Sequence, residues 1–405
     1  MSNLESHGPR LGDHGSSGNF KVIEDDGEIC CVFCLTRRGN LLAQAGGRKE
    51  LASEIVDACR TEPIRIQGVV GEWRIAEAIW QVVCASPGFR EQTVKKEVLN
   101  RLDLERDCTV DAYSPSVVID SVNGKLLVAV TNYASVGRPG LFRCELDGTG
   151  CTYSDISAGQ GLFSVSHPSA AIDSANGKIL VATVNGDNGN RPGLFRCNLD
   201  GTRCTYSDIS AGQPGNSGYD PSAVIDSANG KLLVVTTNGD YARRPALFRC
   251  NLDGTGCTYS DLSAGQGDNT GSYPSALVDS ANGKLLVVTQ KCNPCITALF
   301  RCNLDGSDCT YSDLSGGQGN GGVSPSAVID AASGKLFVAT PSYYSHGAAA
   351  MIRCNLDGSG CDYNDIPESQ WDPSAVIDSQ DARLLVATSN ASNEFRPSLW
   401  SFCLR

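Results

Sequence analysis

A Pro-Ser pair begins a repeated unit six times along the chain, and the position directly before the Pro of each unit carries the most varied chemistry. The residues at that position are Ser114, His167, Asp220, Tyr273, Ser324 and Asp372, and Tyr219 and Trp371 stand beside two of them. Aromatic faces stack on ligands, and carboxylates make directional hydrogen bonds. Brought together, these side chains could hold a sugar, a peptide or a cation. The alternative is that they are turn residues at the starts of strands.

We take six of these as candidate ligand-binding residues: His167, Asp220, Tyr273, Asp372, Trp371 and Tyr219. Their chemistry depends on a scaffold that brings equivalent positions of successive repeats to one end of the fold. The loops that follow the second strand-like run of each repeat vary most and belong to that same end. Binding residues concentrate on such loops when the scaffold beneath them is rigid.

Cysteine pairs are the second feature with chemical potential. Five consecutive repeats contain two Cys separated by six residues, at Cys144/Cys151, Cys197/Cys204, Cys250/Cys257, Cys302/Cys309 and Cys354/Cys361. A turn between the two places them opposite each other on a hairpin, within bridging range. We therefore expect five disulfides, the alternative being pairs of buried thiols. Two thiols per hairpin do not supply the four ligands of a structural zinc site.

Two further cysteine pairs are predicted. Cys108 and Cys403 would form the equivalent bond in the last repeat, although Cys403 needs a β-bulge to face its partner. Cys292 and Cys295 occur once, in a loop, and we expect a loop-stiffening disulfide. Redox chemistry or half a zinc site are the alternatives for this Cys-x-x-Cys motif.

The repeat that positions these residues is about 50 residues long. The Pro-Ser anchors at Pro115, Pro168, Pro221, Pro274, Pro325 and Pro373 are spaced by 53, 53, 53, 51 and 48 residues. Each unit has four strand-like runs; in the third unit they are Ser222–Asp226, Lys231–Asn238, Ala246–Leu252 and Cys257–Ser263. Asn-Gly and Asp-Gly turns favour tight hairpins between them. Four strands repeated at this period are typical of a β-propeller.

The repeated letters resemble a known family. The string Pro-Ser-Ala-Val-Ile-Asp, Gly-Lys-Leu-Leu-Val-Val-Thr and Leu-Phe-Arg-Cys-Asn-Leu-Asp-Gly looks like the YWTD repeat of low-density-lipoprotein-receptor class B propellers, and more distantly like NHL-type repeats. The resemblance implies a mainly β fold, a six-bladed β-propeller of four-stranded blades. The Tyr-Trp-Thr-Asp strand itself is replaced here by Leu-Val-Val-Thr, so that family's polar pattern between blades does not carry over.

The chain is predicted to contain three parts. Residues 1–20 form a Gly- and Ser-rich disordered tail, and residues 21–106 form a small α/β domain that we cannot assign to a family. Residues 107–405 form the propeller. The sixth unit ends after its third strand, so we expect strand 108–113 to complete the last blade and close the ring, which removes an exposed edge. An open array of hairpins is the alternative.

Composition excludes several functions and leaves the compartment open. The net charge is −12, which argues against nucleic-acid and anionic-membrane binding. No apolar run approaches the length of a membrane-spanning helix. The 19 cysteines suggest an extracytoplasmic protein, whereas the N-terminal residues lack the apolar segment of a secretory signal, which suggests a cytoplasmic one.

The sequence favours binding over catalysis. Phosphate-binding glycine motifs and Gly-x-Ser-x-Gly are absent, and the only histidines are His7, His14, His167 and His346. We therefore predict a non-enzymatic module that binds a protein or a glycan and needs no cofactor. The alternative is a propeller hydrolase, lactonase-like with a divalent cation or glycosidase-like, for which Asp220 and Asp372 are the best acidic candidates.

Overall fold

The computed structural model of the 405-residue chain describes most of the repeat region and parts of the N-terminal region. The described residues are 18–25, 28–37, 39–45, 48–66, 68–71, 73–84, 94–96, 112–135, 137–146, 150–160, 165–292, 295–315, 324–341, 348–378, 383–390 and 396–403. Contacts divide the chain into two units. One comprises Met1–Lys95, Gln380–Leu384 and Trp400–Arg405, and the other comprises Lys96–Ser379 and Leu385–Leu399.

The first unit contains a four-stranded sheet and two helices. Its elements are β1 (Gly18–Asp25), β2 (Glu28–Thr36), β3 (Asn40–Gln44), α1 (Ala52–Arg60), β4 (Gly68–Gly71) and α2 (Trp73–Cys84), with a 3-10 turn at Lys49–Leu51. The order is β1-β2-β3-β4, antiparallel except for the parallel β3–β4 pair. One sheet face packs on both helices through Phe33, Leu41, Ile55, Ile75 and Ile79.

Three cysteines of the first unit serve as small apolar residues. Cys31, Cys34 and Cys59 are buried. Burial raises the pKa of the Cys59 thiol to about 11, which keeps it protonated and unreactive at neutral pH.

The repeats form antiparallel sheets in which sequential strands are neighbours. Four sheets have four strands each: β6 (Ala112–Asp120), β7 (Lys125–Asn132), β8 (Arg138–Glu145) and β9 (Thr152–Asp155); β10 (Val165–Asp173), β11 (Lys178–Asn185), β12 (Arg191–Asn198) and β13 (Thr205–Asp208); β14 (Tyr219–Asp226), β15 (Lys231–Asn238), β16 (Arg244–Asn251) and β17 (Thr258–Asp261); β18 (Ser272–Asp279), β19 (Lys284–Lys291), β20 (Ile296–Asn303) and β21 (Thr310–Asp313). A seven-stranded sheet follows the order β22 (Ser326–Asp330), β23 (Lys335–Pro341), β24 (Ala348–Asn355), β25 (Asp362–Asp378), β26 (Arg383–Asn390), β27 (Arg396–Cys403) and β5 (Val94–Lys96).

These sheets confirm the strand pattern predicted for the repeats and are consistent with a β-propeller. In the third repeat, β15 is buried along nearly all its length and pairs with β16 from Lys231↔Asn251 to Asn238↔Arg244. In the first four repeats, the Asp that ends the first strand caps the following turn, as its position before Asn-Gly suggests. In the third repeat, the Asn229 N–H donates to Asp226 Oδ1 at 3.2 Å.

The Ser of each of the first five repeated Pro-Ser pairs connects neighbouring sheets. Its Oγ accepts a hydrogen bond from a backbone N–H on the first strand of the next repeat, at 2.9 to 3.1 Å. The pairs are Ser116–Ala170, Ser169–Ala223, Ser222–Ala276, Ser275–Ala327 and Ser326–Ala375. The first strands of successive repeats are therefore adjacent, as expected when sheets are arranged radially.

Apolar layers fill the space between successive sheets. Between the second and third repeats, Leu180 and Leu194 pack with Leu232, Val234 and Phe248, all buried. Equivalent layers lie between the first and second, third and fourth, and fourth and fifth repeats. Each sheet thus has apolar side chains on both faces, which explains the nearly continuous apolar second strands.

The Leu-Asp-Gly hairpins also contact the preceding repeat. Gly306 has a φ of +86°, and a Cβ added to it would lie 2.6 Å from Ser260 Cβ on β17. The Ser260 hydroxyl donates to the carbonyl of Asp305 at 3.1 Å. Gly201, Gly254 and Gly358 make the same approach. The glycine is needed here both for its positive φ and for its lack of a side chain.

All five predicted hairpin disulfides are formed. They are Cys144–Cys151, Cys197–Cys204, Cys250–Cys257, Cys302–Cys309 and Cys354–Cys361. They are consistent with an extracytoplasmic location. Neither helix in the described part of the chain has the length and apolar character needed to span a bilayer.

The structure differs from three sequence predictions. Gly18, Asn19 and Phe20, assigned to the disordered tail, are the first residues of β1. Ala112 and Tyr113 pair with β7 of the first repeat, and the strand beside β27 is Val94–Lys96 rather than 108–113; a short strand with two lysines is a common way to end a sheet. Cys292 and Cys295 are thiols and not a disulfide. Cys108 and the side chain of Cys403 lie outside the described residues, so their bond stays a prediction.

Candidate functional site

The residue before the repeated Pro adopts a left-handed backbone conformation in the first five repeats. Ser114, His167, Asp220, Tyr273 and Ser324 have φ values of 44° to 51°. In the first four repeats the pairing of the first strand shifts register around this residue, which marks a β-bulge. Such backbone costs about 1–3 kcal/mol per residue and is concentrated at functional sites. The bulge redirects these side chains away from the regular strand alternation.

Asp220 and His167 come together from successive repeats. The imidazole Nδ1 of His167 lies 3.7 Å from Asp220 Oδ1, and their side chains are 53% and 20% exposed. The backbone N–H of Tyr273, on the next repeat, donates to the Asp220 carboxylate. Three of the predicted candidates thus meet across three repeats, with the acid in the centre.

Thr237 lies behind this cluster and supports it. Its hydroxyl donates to the carbonyl of Gly271 at 2.9 Å and lies 3.4 Å from Asp220 Oδ2. A hydroxyl has one proton, so the shorter contact uses it, and the contact to Asp220 is weak. The carboxylate therefore keeps acceptor capacity for a ligand hydroxyl or amide.

Burial raises the pKa of Asp220 above its usual range, although the nearby charges of His167 and Arg243 and the hydrogen bonds from Thr237 and Tyr273 oppose this shift. A raised pKa means that the fold favours the protonated acid. The carboxylate is charged at neutral pH only at a cost to stability, which a ligand that pairs with it would offset.

We expect Asp220→Asn to be more stable than wild type at pH 7, with a difference that shrinks at pH 4. Because the folded pKa is raised, stability contributed by the acid is fully present below the unfolded value of about 3.9 and is lost as pH rises through the folded pKa. Asn resembles the protonated form at every pH. Urea unfolding at the two pH values measures the difference, and a variant less stable than wild type at pH 7 contradicts the argument.

Tyr219 has a structural role that the sequence did not predict. Its hydroxyl donates to Asn216 Oδ1 at 2.9 Å and accepts from Asn190 Nδ2 at 2.8 Å. Asn216 Nδ2 in turn donates to Asp240 Oδ1 at 3.0 Å. Tyr219 therefore joins three loops of the variable end, and its hydroxyl is already used by these contacts.

Backbone hydrogen bonds hold the same loops together. The Asn216 N–H donates to the Gly189 carbonyl at 2.6 Å, and the Gly239 N–H donates to the Asn216 carbonyl at 2.7 Å. Asn269 makes the equivalent contacts one repeat later, with Ala242 and Cys292. The sequence contains a sign of these loop contacts, because Asn-Ser-Gly and Asn-Thr-Gly stand at equivalent positions before Tyr219 and Ser272.

The remaining candidates are only partly placed. Trp371 and Asp372 lie on β25, but their side chains are outside the described residues, so their part in the site stays a prediction. Tyr273 is 39% exposed and is joined at the variable end by exposed Tyr241 and Tyr133. In the described part of the chain, no group of three or more His, Cys, Asp or Glu residues is arranged to hold a metal ion.

No protein-family model matches the chain, and no curated protein matches it. Among solved structures, a protein of unknown function from Dyadobacter fermentans DSM 18053 aligns with a TM-score of 0.53 and 14% identity, over 74% of this chain and 96% of that one. Trypanosoma rangeli sialidase in complex with 2,3-difluorosialic acid aligns at 0.49 and 13% identity, over 78% of this chain and 59% of the sialidase. At such identity the likeness to the Dyadobacter protein concerns the fold alone.

Proposed function

We propose that this protein is a non-enzymatic binding module that holds a glycan at the variable end of a six-bladed propeller. Asp220 is the central acceptor, His167 and Tyr273 flank it, and Trp371 and Asp372 of the sixth repeat complete the ring. The four-stranded sheet and two helices between Gly18 and Cys84 belong to a separate small α/β domain. A protein ligand is the alternative, which the absence of glycan binding in the test below would favour.

The proposal rests on a difference in role between the repeated residues and the variable residues. The repeated Ser, Gly, Asp and Cys are all used in sheet contacts, turns and disulfides. The residues before Pro differ in every one of the first four repeats, yet all share the costly left-handed backbone. Variation on a rigid, strained frame is characteristic of a recognition surface.

Exposed apolar residues support closure of the ring. Val117 and Ile119 of the first repeat are 55% and 57% exposed, and Val376 of the sixth is 52% exposed. In the third repeat, the equivalent Ala223 and Ile225 pack on the preceding repeat. Val224, which is equivalent to Val376, packs on the following repeat. The exposed residues therefore lie on the two faces that a closed ring brings together.

A glycan fits the cluster better than a flat protein surface does. A partly buried carboxylate beside an exposed tyrosine combines a directional acceptor for sugar hydroxyls with a stacking face for the sugar ring. These two contacts come from adjacent repeats and lie at one end of the strands.

A glycan microarray probed with the fluorescently labelled chain tests this function. We expect binding to a related set of glycans, reduced about tenfold or more by Asp220→Asn and by Tyr273→Ala. Ser227→Ala, an exposed substitution in the turn at the opposite end of β14, should bind as wild type. Binding to no glycan, or equal binding by wild type and both site variants, would overturn the proposal.

A further inference from the structure

We propose that Cys292 and Cys295 form a redox-active dithiol that exchanges reversibly with an external disulfide, unlike the five hairpin pairs, which stay bonded. The two sulfur atoms lie 2.9 Å apart without a bond. Only a small displacement is needed for them to reach the bonding distance of about 2.0 Å. The dithiol and the disulfide are therefore both accessible with little movement of the two cysteines.

The hairpin beneath the two cysteines brings them together. β19 and β20 are paired to their ends, where Lys291 lies opposite Ile296. Cys292 and Cys295 come directly after and before this last pair. The Cys292 N–H also donates to the Asn269 carbonyl at 2.9 Å, and Lys291 Nζ lies 4.8 Å from the centre of the Tyr311 ring. The strand ends thus hold both thiols in place.

Accessibility separates this pair from the hairpin disulfides. Cys292 and Cys295 are both partly exposed. In each hairpin disulfide the first cysteine is almost completely buried, as in Cys197, Cys250 and Cys302 at 0% exposure. The second cysteine of each hairpin pair is partly exposed, so an external thiolate can reach one sulfur atom of a hairpin disulfide but both sulfur atoms of Cys292 and Cys295.

The surroundings of Cys292 keep its thiol protonated. Burial raises the pKa of Cys292 to about 12, and the neighbouring Cys295 adds to this effect, while the Arg243 guanidinium opposes it. Cys292 is therefore almost entirely protonated at neutral pH and is a weak nucleophile. We write the exchange with Cys295 as the first nucleophile; the reverse order balances in the same way.

The exchange balances without a cofactor. The Cys295 thiolate attacks a disulfide RSSR, forming a mixed disulfide and releasing one RS⁻. Cys292 loses its proton to solvent, and its thiolate attacks Cys295 Sγ, forming the Cys292–Cys295 bond and releasing the second RS⁻. The two protein thiols are oxidised, RSSR is reduced to two RSH, and the two RS⁻ groups take up the protons lost by the cysteines.

The test equilibrates the native full chain in buffers with stepped ratios of reduced to oxidised glutathione. After acid quenching, iodoacetamide alkylation and digestion, mass spectrometry follows the peptides around Cys292/Cys295 and Cys197/Cys204. We expect the first pair to convert between alkylated and disulfide forms within the range, while the second stays a disulfide. In Cys295→Ser, where the intramolecular bond cannot form, Cys292 should remain alkylatable or carry glutathione.

Two results would overturn the proposal. Cys292 and Cys295 could be alkylated at every ratio, which would show two inert thiols. Alternatively, their bond could resist reduction to the same extent as Cys197–Cys204, which would show a sixth structural disulfide. Circular dichroism at each ratio confirms that the sheets remain folded.

Discussion

Gly306→Ala should lower the free energy of unfolding by about 2–4 kcal/mol, combining the cost of a left-handed alanine with overpacking. The added Cβ would lie 2.6 Å from Ser260 Cβ and 3.2 Å from a Leu247 methyl group. Both neighbours belong to the preceding repeat, so relieving the contact requires the hairpin to move away from it. Urea denaturation followed by tryptophan fluorescence measures the loss.

Gly283→Ala is the matched control for this prediction. Gly283 also has a positive φ, of +62°, but no atom lies within 4 Å of its would-be Cβ. Its substitution should cost only the backbone term, about 1–2 kcal/mol. Combining Gly306→Ala with Ser260→Gly should recover part of the excess, since the clashing atoms are removed. Equal losses at Gly306 and Gly283 would show that the hairpin does not pack tightly on its neighbour.

Replacing Cys197 and Cys204 together by Ala should destabilise the protein by roughly 2–3 kcal/mol. The bond closes a short hairpin, with a sequence separation of 7 residues, and its loss enlarges the unfolded ensemble. Cys197 is fully buried, so the lost sulfur also removes packing. Thermal unfolding without reductant measures the change.

The same measurement in strong reductant after complete reduction provides the control. With all disulfides open, the wild type loses the constraint that the variant lacks, and the difference should fall to the packing contribution alone. A variant as stable as wild type without reductant would contradict a stabilising role for this bond.

Local and repeated features of the fold could be predicted from the sequence. Each repeat contains its own strands and turns, so the Asn-Gly turn and the opposed Cys250 and Cys257 follow from short-range pattern. Near-identical repeats then fold into near-identical sheets. The edge strand Val94–Lys96 could not be predicted, because its partner β27 is some 300 residues away in the sequence and its own three residues carry no distinctive pattern.

Part of the candidate site could be predicted because the repeats are equivalent to one another. His167, Asp220 and Tyr273 occupy equivalent positions, so a radial arrangement of sheets brings them together. Their left-handed backbone was not foreseen, because Asp and Tyr before Pro give no reason to expect it. The structural role of Tyr219 could not be predicted, because its partner Asn190 lies in a loop of the preceding repeat and no local pattern indicates this contact.

Ser374→Ala tests the central claim, a closed ring of sheets, most directly. Ser374 belongs to the sixth repeated Pro-Ser pair, and the Ser hydroxyls of the other five accept a hydrogen bond from a backbone N–H of the next repeat. In a closed ring the donor to Ser374 is the backbone N–H of Val117, which is equivalent to Ala276. The closed ring predicts a loss of about 1–3 kcal/mol in unfolding free energy, matching Ser222→Ala, because each substitution orphans a backbone N–H. If Ser374→Ala leaves the unfolding free energy unchanged while Ser222→Ala lowers it, the sheets do not close.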